Sequence, residues 1–294
     1  MTDADDRQQQ HSANRRELIG GAAAIAAATL AAALPAAASA NDPLPSWNAG
    51  VNKQAILDFV AAVTTEGGPD FVPEADRIAV FDNDGTLWAE QPAYSQAFFV
   101  LDQIGKMAGA HPEWSTTEPY ASVLSGDPAR LAGLSEHDLG QVISTASTGM
   151  SVDDFAASVG EWIATATHPV LKVPYRQTTY QPQLELLDYL EANGFDTWIV
   201  SGGGIDFMRV FSEAFYGIPS ERTVGSSTEL KYEVIDGNPT LIKQPKLGVY
   251  DDKEGKPINI HLAIGKRPIL AVGNSDGDRQ MLEYTAGGDG PSLM

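Results

Sequence analysis

The segment formed by residues 78–87, with the sequence IAVFDNDGTL, joins four apolar residues to two closely spaced carboxylates. Four consecutive apolar residues that include Ile, Val and Phe are typical of a strand buried on both faces of a parallel sheet. The strand would end before Asp82, and Gly85 permits a tight turn directly after Asp84. Because ligands of open α/β sheets bind beyond the carboxyl ends of the strands, we expect both carboxylates to face a bound small molecule.

Two further segments repeat this pattern of a short apolar strand followed by small or polar residues. Residues 197–200 precede Ser201 and three glycines, and residues 269–272 precede the sequence GNSDGD at 273–278. Helical spacing of apolar residues occurs between the strands, which predicts an α/β fold with a parallel sheet and helices on both faces. Each polar end alone is compatible with an ordinary connecting turn, but three at one sheet edge favour a single site.

The chain between the first two strands, residues 88–174, contains no convincing strand. Three segments in it show apolar residues at helical spacing, namely 96–108, 135–145 and 152–167. We therefore expect a helical cap inserted after the first strand of the sheet.

Two patterns in the second half of the chain predict further elements. Residues 205–216 follow the glycines as an expected helix, whose first amides would form an anion site. The sequence Asp-Gly-Asn at 236–238, between residues 229–235 and 239–244, predicts a β-hairpin.

Composition excludes several classes of function. The chain of 294 residues has a net charge of -20, and residues 41–294 alone carry 16 basic and 35 acidic side chains. Such an excess of negative charge argues against a nucleic-acid partner and against binding to anionic membranes. The absence of cysteine excludes disulfide bonds and thiolate chemistry.

The first 40 residues have the composition of an export signal. Arg15 and Arg16 precede an Ala-rich apolar run to Leu34, and the sequence Ala-Ser-Ala at 38–40 resembles a cleavage site. The paired arginines resemble a twin-arginine signal, which predicts the twin-arginine export machinery as a partner and a periplasmic or secreted protein. A permanent membrane span is the alternative, although the run is short and only mildly apolar.

The motifs at 82–86, at Ser201 and at 273–278 resemble those of the haloacid dehalogenase superfamily of hydrolases. The resemblance extends from about residue 51 to the end, and a helical cap after the first motif is similar to the phosphoserine phosphatase-like branch. It implies a Rossmann-like core of residues 41–87 and 175–294, and a cap of residues 88–174.

The resemblance also implies an activity, a metal and a set of roles. The implied reaction is hydrolysis of a small phosphorylated metabolite through an aspartyl-phosphate on Asp82, with Asp84 as the general acid and base. Mg²⁺ is implied on Asp82, on the main-chain carbonyl of Asp84 and on a residue of the last motif, either Asn274 or Asp278.

A phosphate-binding set completes the expected site. Ser201 and the amides near Gly202 are implied to hold phosphoryl oxygens. The lysine of the family's third motif has a weak sequence signal; we choose Lys256, with Lys253 and Lys246 as alternatives.

The last motif departs from the family pattern, because Asn274 stands where an acidic residue is usual. Asn274 offers a carbonyl oxygen without charge, Asp278 binds directly or through water, and Asp276 is a third option. We therefore expect a lower metal affinity than is usual in the family.

Several expectations stay open from sequence. Glu90 either faces a cationic substrate group or lies on the surface, and Trp88 and Tyr94 either line the cleft or pack as ordinary aromatics. A dehalogenase, a phosphotransferase or an exported binding protein without activity are the alternative functions. Because family members usually continue beyond residue 290, we also expect an incomplete C-terminus that leaves one sheet edge uncovered.

Overall fold

The computed structural model describes residues 42–294, which are built around a five-stranded sheet. Its strands are β1 (Ile78–Phe81), β2 (Asp196–Gly204), β3 (Thr223–Ile235), β4 (Asn238–Val249) and β5 (Leu270–Val272). They are ordered β4-β3-β2-β1-β5 across the sheet. The pairs β1–β2, β1–β5 and β2–β3 are parallel, whereas β3 and β4 are antiparallel. The expected α/β fold with a mostly parallel sheet is confirmed.

Helices cover both faces of this sheet. They are α1 (Val51–Thr64), α2 (Ser95–Met107), α3 (Tyr120–Ser125), α4 (Pro128–Ala132), α5 (Glu136–Thr145), α6 (Val152–Thr165), α7 (Gln181–Ala192), α8 (Ile205–Met208), α9 (Ser212–Tyr216), α10 (Gly255–Ala263) and α11 (Arg279–Ala286). Phe81 of β1 belongs to the apolar cluster that contains Val60 of α1. Its neighbour Val80 belongs to a second cluster with Ile260 of α10 and Met281 of α11. Alternate residues of β1 are thus buried on opposite faces, as the apolar run predicts.

Residues 88–174 contain the helices α2–α6, and their strand-like pairing is limited to isolated bridges. Ser135 and Ser151 accept hydrogen bonds from the third residue of α5 and α6, respectively, which defines where each helix begins. The helical insertion after the first strand is confirmed. Its separation from the core as a cap domain stays a prediction, because residues 42–294 cluster as one unit.

Two expected elements have different bounds in the structure. The single helix expected over 205–216 is wrong, since the chain forms α8 and α9 with a break at Phe211, which adopts φ -123° and stacks on Trp88. The hairpin strand expected at 229–235 is too short, because β3 begins at Thr223 and pairs with β2 first. The sequence TVGSS at 223–227 lacks the apolar run that marks the other buried strands, which explains the omission.

The hairpin turn itself is confirmed at Asp236 and Gly237. Both residues adopt positive φ, 52° and 83°, as a two-residue type I′ turn requires.

The two ends of the chain bear on the remaining expectations. Leu293 forms a parallel bridge with Leu270. The amide of Leu293 donates to the carbonyl of Ile269, and its carbonyl accepts from the amide of Ala271. The expectation of an uncovered β5 edge therefore does not hold at this position. The predicted export signal, residues 1–40, lies outside the described residues. Within residues 42–294, every helix is too short or too polar to cross a bilayer.

Candidate active site

The site begins with the register of three neighbouring strands. Phe81, the last residue of β1, lies opposite Ile199 of β2 and opposite Val272, the last residue of β5. The next amide, that of Asp82, donates to the carbonyl of Val272 at 2.9 Å. Asp82 is therefore level with Val200 and with Gly273, and Ser201 lies one residue further along β2 at the same sheet edge.

A buried lysine joins two of these strand ends. The Nζ of Lys256 lies 2.8 Å from Oδ1 of Asp82, 2.5 Å from Oδ1 of Asp278 and 3.0 Å from the carbonyl of Val200. All three charged side chains are buried, with exposures of 1% for Lys256, 6% for Asp82 and 0% for Asp278. Because a buried charge is costly unless it is paired, the two carboxylates and the carbonyl of Val200 hold the Nζ of Lys256 in one position.

The ionisation of this cluster reflects both burial and charge. Burial raises the pKa of the Asp82 carboxyl, Lys256 opposes the shift, and the Asp278 carboxylate adds to it. Burial alone would lower the pKa of Lys256, but the two carboxylates together raise it above its usual value. One ammonium faces two carboxylates, so the cluster has an excess of negative charge when all three groups are ionised.

Asp278 also anchors the loop after β5. Its Oδ2 accepts from the amides of Asn274 and Ser275 at 3.0 and 2.9 Å, and from the Ser275 hydroxyl at 3.2 Å. Both carboxylate oxygens of Asp278 thus have protein donors. The side chain of Asn274, in contrast, is exposed.

Asn274 lies against the turn that follows Asp84. Its Oδ1 accepts from the Thr86 hydroxyl at 3.1 Å, and its Nδ2 lies 3.3 Å from Oε1 of Glu90. Gly85 between them adopts φ +81°, and a Cβ at this position would lie 2.1 Å from Nδ2 of Asn274. Glycine is required here both by the backbone conformation and by the approach of Asn274. Glu90 is half-buried and contacts Asn274, and its role toward a substrate stays a prediction.

Asp84 is held in a different environment from Asp82. Its Oδ1 accepts from the indole N–H of Trp88 at 2.9 Å. Burial raises its pKa to about 6, although the hydrogen bond from Trp88 lowers it. A carboxyl with this pKa is poised to give and take a proton near neutral pH.

The glycine-rich end of β2 borders the same space. Ser201 is buried, and its Oγ accepts from the amide of Gly203 at 3.3 Å. The amide of Gly204 donates to Oε1 of Gln96 in α2 at 2.8 Å, which ties the helical insertion to this loop. The helix expected to begin an anion site is α8, which has only four residues. Any anion would therefore be bound by the loop at Ser201 and Gly202.

The structure brings together most of the residues expected from sequence. Lys256 contacts both Asp82 and Asp278. Asp84 lies in the turn after β1, and Asn274 lies in the loop after β5. Of the alternative lysines, Lys246 pairs with Glu229 on the exposed hairpin, and Lys253 is exposed on the loop before α10.

Sequence reasoning missed three residues that support the site. Gln96 binds the amide of Gly204, as described above. Tyr216 donates to Oδ1 of Asn83 at 3.0 Å. Asp251 is fully buried, accepts from Asn259 at 2.9 Å and leaves Oδ2 without a hydrogen-bond partner. Only spatial proximity reveals these roles, because none of the three lies in a recognisable motif.

Comparison with known proteins places this architecture in a family. Residues 79–283, more than two thirds of the chain, match the model of the haloacid dehalogenase-like hydrolases. The chain therefore belongs to the haloacid dehalogenase-like hydrolase family, and the matched residues include the ends of β1, β2 and β5 described above.

Several solved structures align with the chain, and the first of them supports the fold. A conserved protein of unknown function from Anaerococcus prevotii aligns with a TM-score of 0.52 at 16% identity, over 82% of this chain and 83% of its own. A phosphoserine phosphohydrolase-like protein from Francisella tularensis aligns with a TM-score of 0.39 at 18% identity, over 71% and 83%. A substrate-bound phosphoserine phosphatase aligns with a TM-score of 0.36 at 16% identity, over 71% and 82%. No curated protein matches the sequence.

Proposed function

We propose that this hydrolase is a Mg²⁺-dependent phosphatase that cleaves small phosphate monoesters through an aspartyl-phosphate on Asp82. The observation that supports the proposal best is the buried contact of Lys256 with Asp82. It places a fixed ammonium on the carboxylate that would attack phosphorus, where a phosphoryl group needs its negative charge balanced. A second, chemically distinct carboxylate, Asp84, lies two residues away.

In the first proposed step, a carboxylate oxygen of Asp82 attacks phosphorus and the bond from phosphorus to the ester oxygen breaks. The departing oxygen takes the proton of Asp84, so the alcohol leaves neutral. The raised pKa of Asp84, about 6, keeps an appreciable fraction protonated near neutral pH. The products of this step are the alcohol and an acyl phosphate on Asp82.

In the second proposed step, Asp84 as a carboxylate takes a proton from water, whose oxygen attacks phosphorus. The bond between phosphorus and the Asp82 oxygen then breaks, which returns the Asp82 carboxylate and releases inorganic phosphate. Ser201 and the backbone near Gly202 would hold the phosphoryl oxygens in both steps, and Lys256 would balance their charge.

The residues present fit a magnesium ion. Mg²⁺ prefers oxygen ligands and usually keeps several waters, with one or two carboxylates from the protein. Asp82, the main-chain carbonyl of Asp84 and the Asn274 amide oxygen would supply such ligands, and Asp278 would act through the loop. When bound, Mg²⁺ offsets the charge of the phosphate so that an anionic nucleophile can approach it. Within residues 42–294 there is no cluster of three His, Cys, Asp or Glu side chains suited to a metal, so backbone and amide oxygens would have to complete the ligand set.

Asp84 favours phosphate chemistry over the alternatives. Carbon–halogen cleavage leaves a halide, which needs no proton, so a buried general acid with a raised pKa would be superfluous there. A phosphotransferase differs only in the acceptor that replaces water. A binding protein without activity gives no reason for the paired Asp82 and Lys256 to be buried at the strand ends.

The proposal is tested with purified residues 41–294 and p-nitrophenyl phosphate, with Mg²⁺ and with a chelator. We expect turnover that requires Mg²⁺ and that falls by at least about a thousandfold in Asp82→Asn. Lys246→Met on the exposed hairpin is the matched control and should retain wild-type rates. A fully active Asp82→Asn variant would rule out the mechanism, and halide release from a haloacid would favour the dehalogenase.

We also propose that residues 1–40 direct export by the twin-arginine machinery, so that the enzyme acts in the periplasm or outside the cell. The support is the Arg15-Arg16 pair before a mildly apolar run. Fractionation of cells that express the full chain tests this proposal. The double variant Arg15→Lys/Arg16→Lys should stay in the cytoplasm, whereas Arg7→Lys should be exported. Equal export of the wild type and both variants would contradict the proposal.

A further inference from the structure

We propose that Trp88 is a positioning residue for the leaving-group step, because its indole N–H holds one oxygen of Asp84 and directs the other toward the departing oxygen. This inference rests on the proposed phosphatase function and identifies the group that controls its general acid. The hydrogen bond from Nε1 of Trp88 to Oδ1 of Asp84 is 2.9 Å long.

The direction of this N–H is set by packing around the indole. Trp88 is fully buried, and its ring stacks on Phe211 with centroids 4.8 Å apart and an angle of 29° between planes. Tyr175 and Phe215 pack against it with centroids 5.8 and 6.3 Å away. In a close-packed interior a ring with neighbours on several sides keeps one rotamer, so the N–H keeps one direction.

The backbone at Trp88 is fixed as well. Its carbonyl accepts from the amide of Gly85 at 2.9 Å, which closes the turn that carries Asp84. Trp88 also forms an antiparallel bridge with Thr179. The amide of Ala89 donates to the carbonyl of Thr178 at 3.1 Å. The donor and acceptor of the Trp88–Asp84 bond therefore belong to one rigid turn.

The second oxygen of Asp84 lies beside the glycine-rich end of β2. A Cβ at Gly203 would lie 3.5 Å from Sδ of Met208, 3.6 Å from Oδ2 of Asp84 and 3.7 Å from Oε1 of Gln96. Glycine at this position therefore places no side chain against Oδ2. With Oδ1 held by Trp88, Oδ2 is the oxygen from which Asp84 would transfer its proton.

A purely structural role for Trp88 is the competing explanation, since a buried indole also stabilises the core. The two explanations differ in their dependence on the leaving group. Phenolates such as p-nitrophenolate leave without protonation, whereas alkoxides need a correctly placed acid. A structural defect would lower both reactions alike, but a misplaced acid lowers the alkyl reaction more.

The test compares kcat/KM for p-nitrophenyl phosphate and β-glycerol phosphate in Trp88→Phe. This parameter reports steps up to release of the alcohol, so hydrolysis of the intermediate does not mask the effect. Removal of the N–H while an aromatic ring is kept should lower the ratio of alkyl to aryl reactivity by about tenfold or more. Trp162→Phe is the matched control, because Trp162 packs on the same Tyr175 at 5.1 Å, and its ratio should equal that of the wild type.

Two further measurements keep the result decisive. In an Asp84→Asn background, Trp88→Phe should change the ratio no further, since both substitutions act on the same proton. If Trp88→Phe does not fold, benzothienylalanine at position 88 replaces the N–H by sulfur at nearly constant shape and should lower the ratio similarly. An equal loss for both substrates would overturn the inference and leave the proposed function intact. A wild-type protein without phosphomonoesterase activity would overturn both.

Discussion

Asn274 and Glu90 form a polar pair at the edge of the proposed metal site. The amide nitrogen of Asn274 lies 3.3 Å from the Glu90 carboxylate, which leaves the amide oxygen on the side of Thr86. Hydrogen bonds from groups behind a ligand commonly orient it and tune the affinity for the metal. Glu90 therefore compensates in part for the charge that Asn274 lacks.

The first prediction concerns metal affinity at this pair. We expect the double variant Asn274→Asp/Glu90→Gln to bind Mg²⁺ about tenfold more tightly than wild type, because it gains a charged ligand with a neutral partner. Asn274→Asp alone should gain at least as much, because the Glu90 carboxylate then also attracts the bound cation. Calorimetry of Mg²⁺ binding to substrate-free protein measures both, and no tightening in the double variant would refute the assignment of Asn274.

The second prediction concerns the buried Asp251. Burial raises its pKa to about 6, whereas the ordinary pKa of an aspartate, taken for the unfolded chain, is 3.8. The folded state thus binds the proton more tightly, so this carboxyl favours folding at low pH and opposes it as the pH rises through 6.

Asp251→Asn removes this dependence while Oδ1 keeps its donor Asn259. The stability gained over wild type should therefore grow by about 2 kcal/mol between pH 4 and pH 8. Urea unfolding at both pH values measures the change, with Asp236→Asn at the exposed hairpin turn as the control. A gain independent of pH would show that Asp251 is not the titrating group.

Residue by residue, the strand-end pattern predicted Asp82, Asp84 and the loop after β5, because each follows an apolar run directly. Lys256 could be selected because it lies shortly before the last strand. Sequence alone assigns no role to Trp88, Gln96 or Asp251, because each acts through a particular side-chain contact. Neither apolar periodicity nor a motif indicates such a contact. The hydrogen bond from Trp88 to Asp84, for example, depends on the turn at Gly85 folding the chain back.

At the scale of elements, the hairpin β3–β4 is tied to the helical insertion. The amide of Lys243 in β4 donates to Met150 at 3.0 Å, and its carbonyl accepts from Gly149 at 2.9 Å. Its side chain is buried in an ion pair with Asp206 of α8 and lies 4.7 Å from the ring centroid of Phe155 in α6. One lysine thus connects β4, α8 and α6.

The third prediction tests this connection. Lys243→Met should lower the free energy of unfolding by about 3 to 5 kcal/mol, because it leaves the Asp206 carboxylate buried without its partner. Adding Asp206→Leu should recover much of the loss. Lys246→Met, in an exposed pair on the same strand, is the control and should change stability by less than about 1 kcal/mol. Equal stability of Lys243→Met and the control in urea unfolding would contradict the connecting role.

The turn at Asp236 and Gly237 made this hairpin predictable from sequence, but its packing was not. The exposed half of the hairpin carries Leu230, Tyr232 and Val234 at alternate positions of β3, all of them exposed, and the buried half begins with the small residues of 223–227. Its contacts with α6 and α8 come from residues more than thirty positions away, which no local pattern links to β4. Helix bounds were easier to predict, because apolar spacing and the serine caps of α5 and α6 are local signals.

For the whole molecule, the essential feature is the convergence of three separated segments at one sheet edge. Parallel strands in register bring Asp82, Ser201 and the loop after β5 to the same sheet edge, and Lys256 of α10 contacts Asp82 and Asp278. The family model matches residues 79–283, which include all of these residues. We expect the substrate to depend on the helical insertion, whose shape arises from tertiary packing and not from any motif.

The most direct measurement is detection of the phosphoryl group on Asp82. Asp84→Asn should slow hydrolysis of the intermediate more than its formation from p-nitrophenyl phosphate, because p-nitrophenolate needs no acid to leave. Acid quench during turnover followed by peptide mass spectrometry should find one added phosphoryl group on the peptide that contains Asp82, at that residue. Release of p-nitrophenol with no phosphoryl group on Asp82, or with the group on another side chain, would contradict the proposed mechanism.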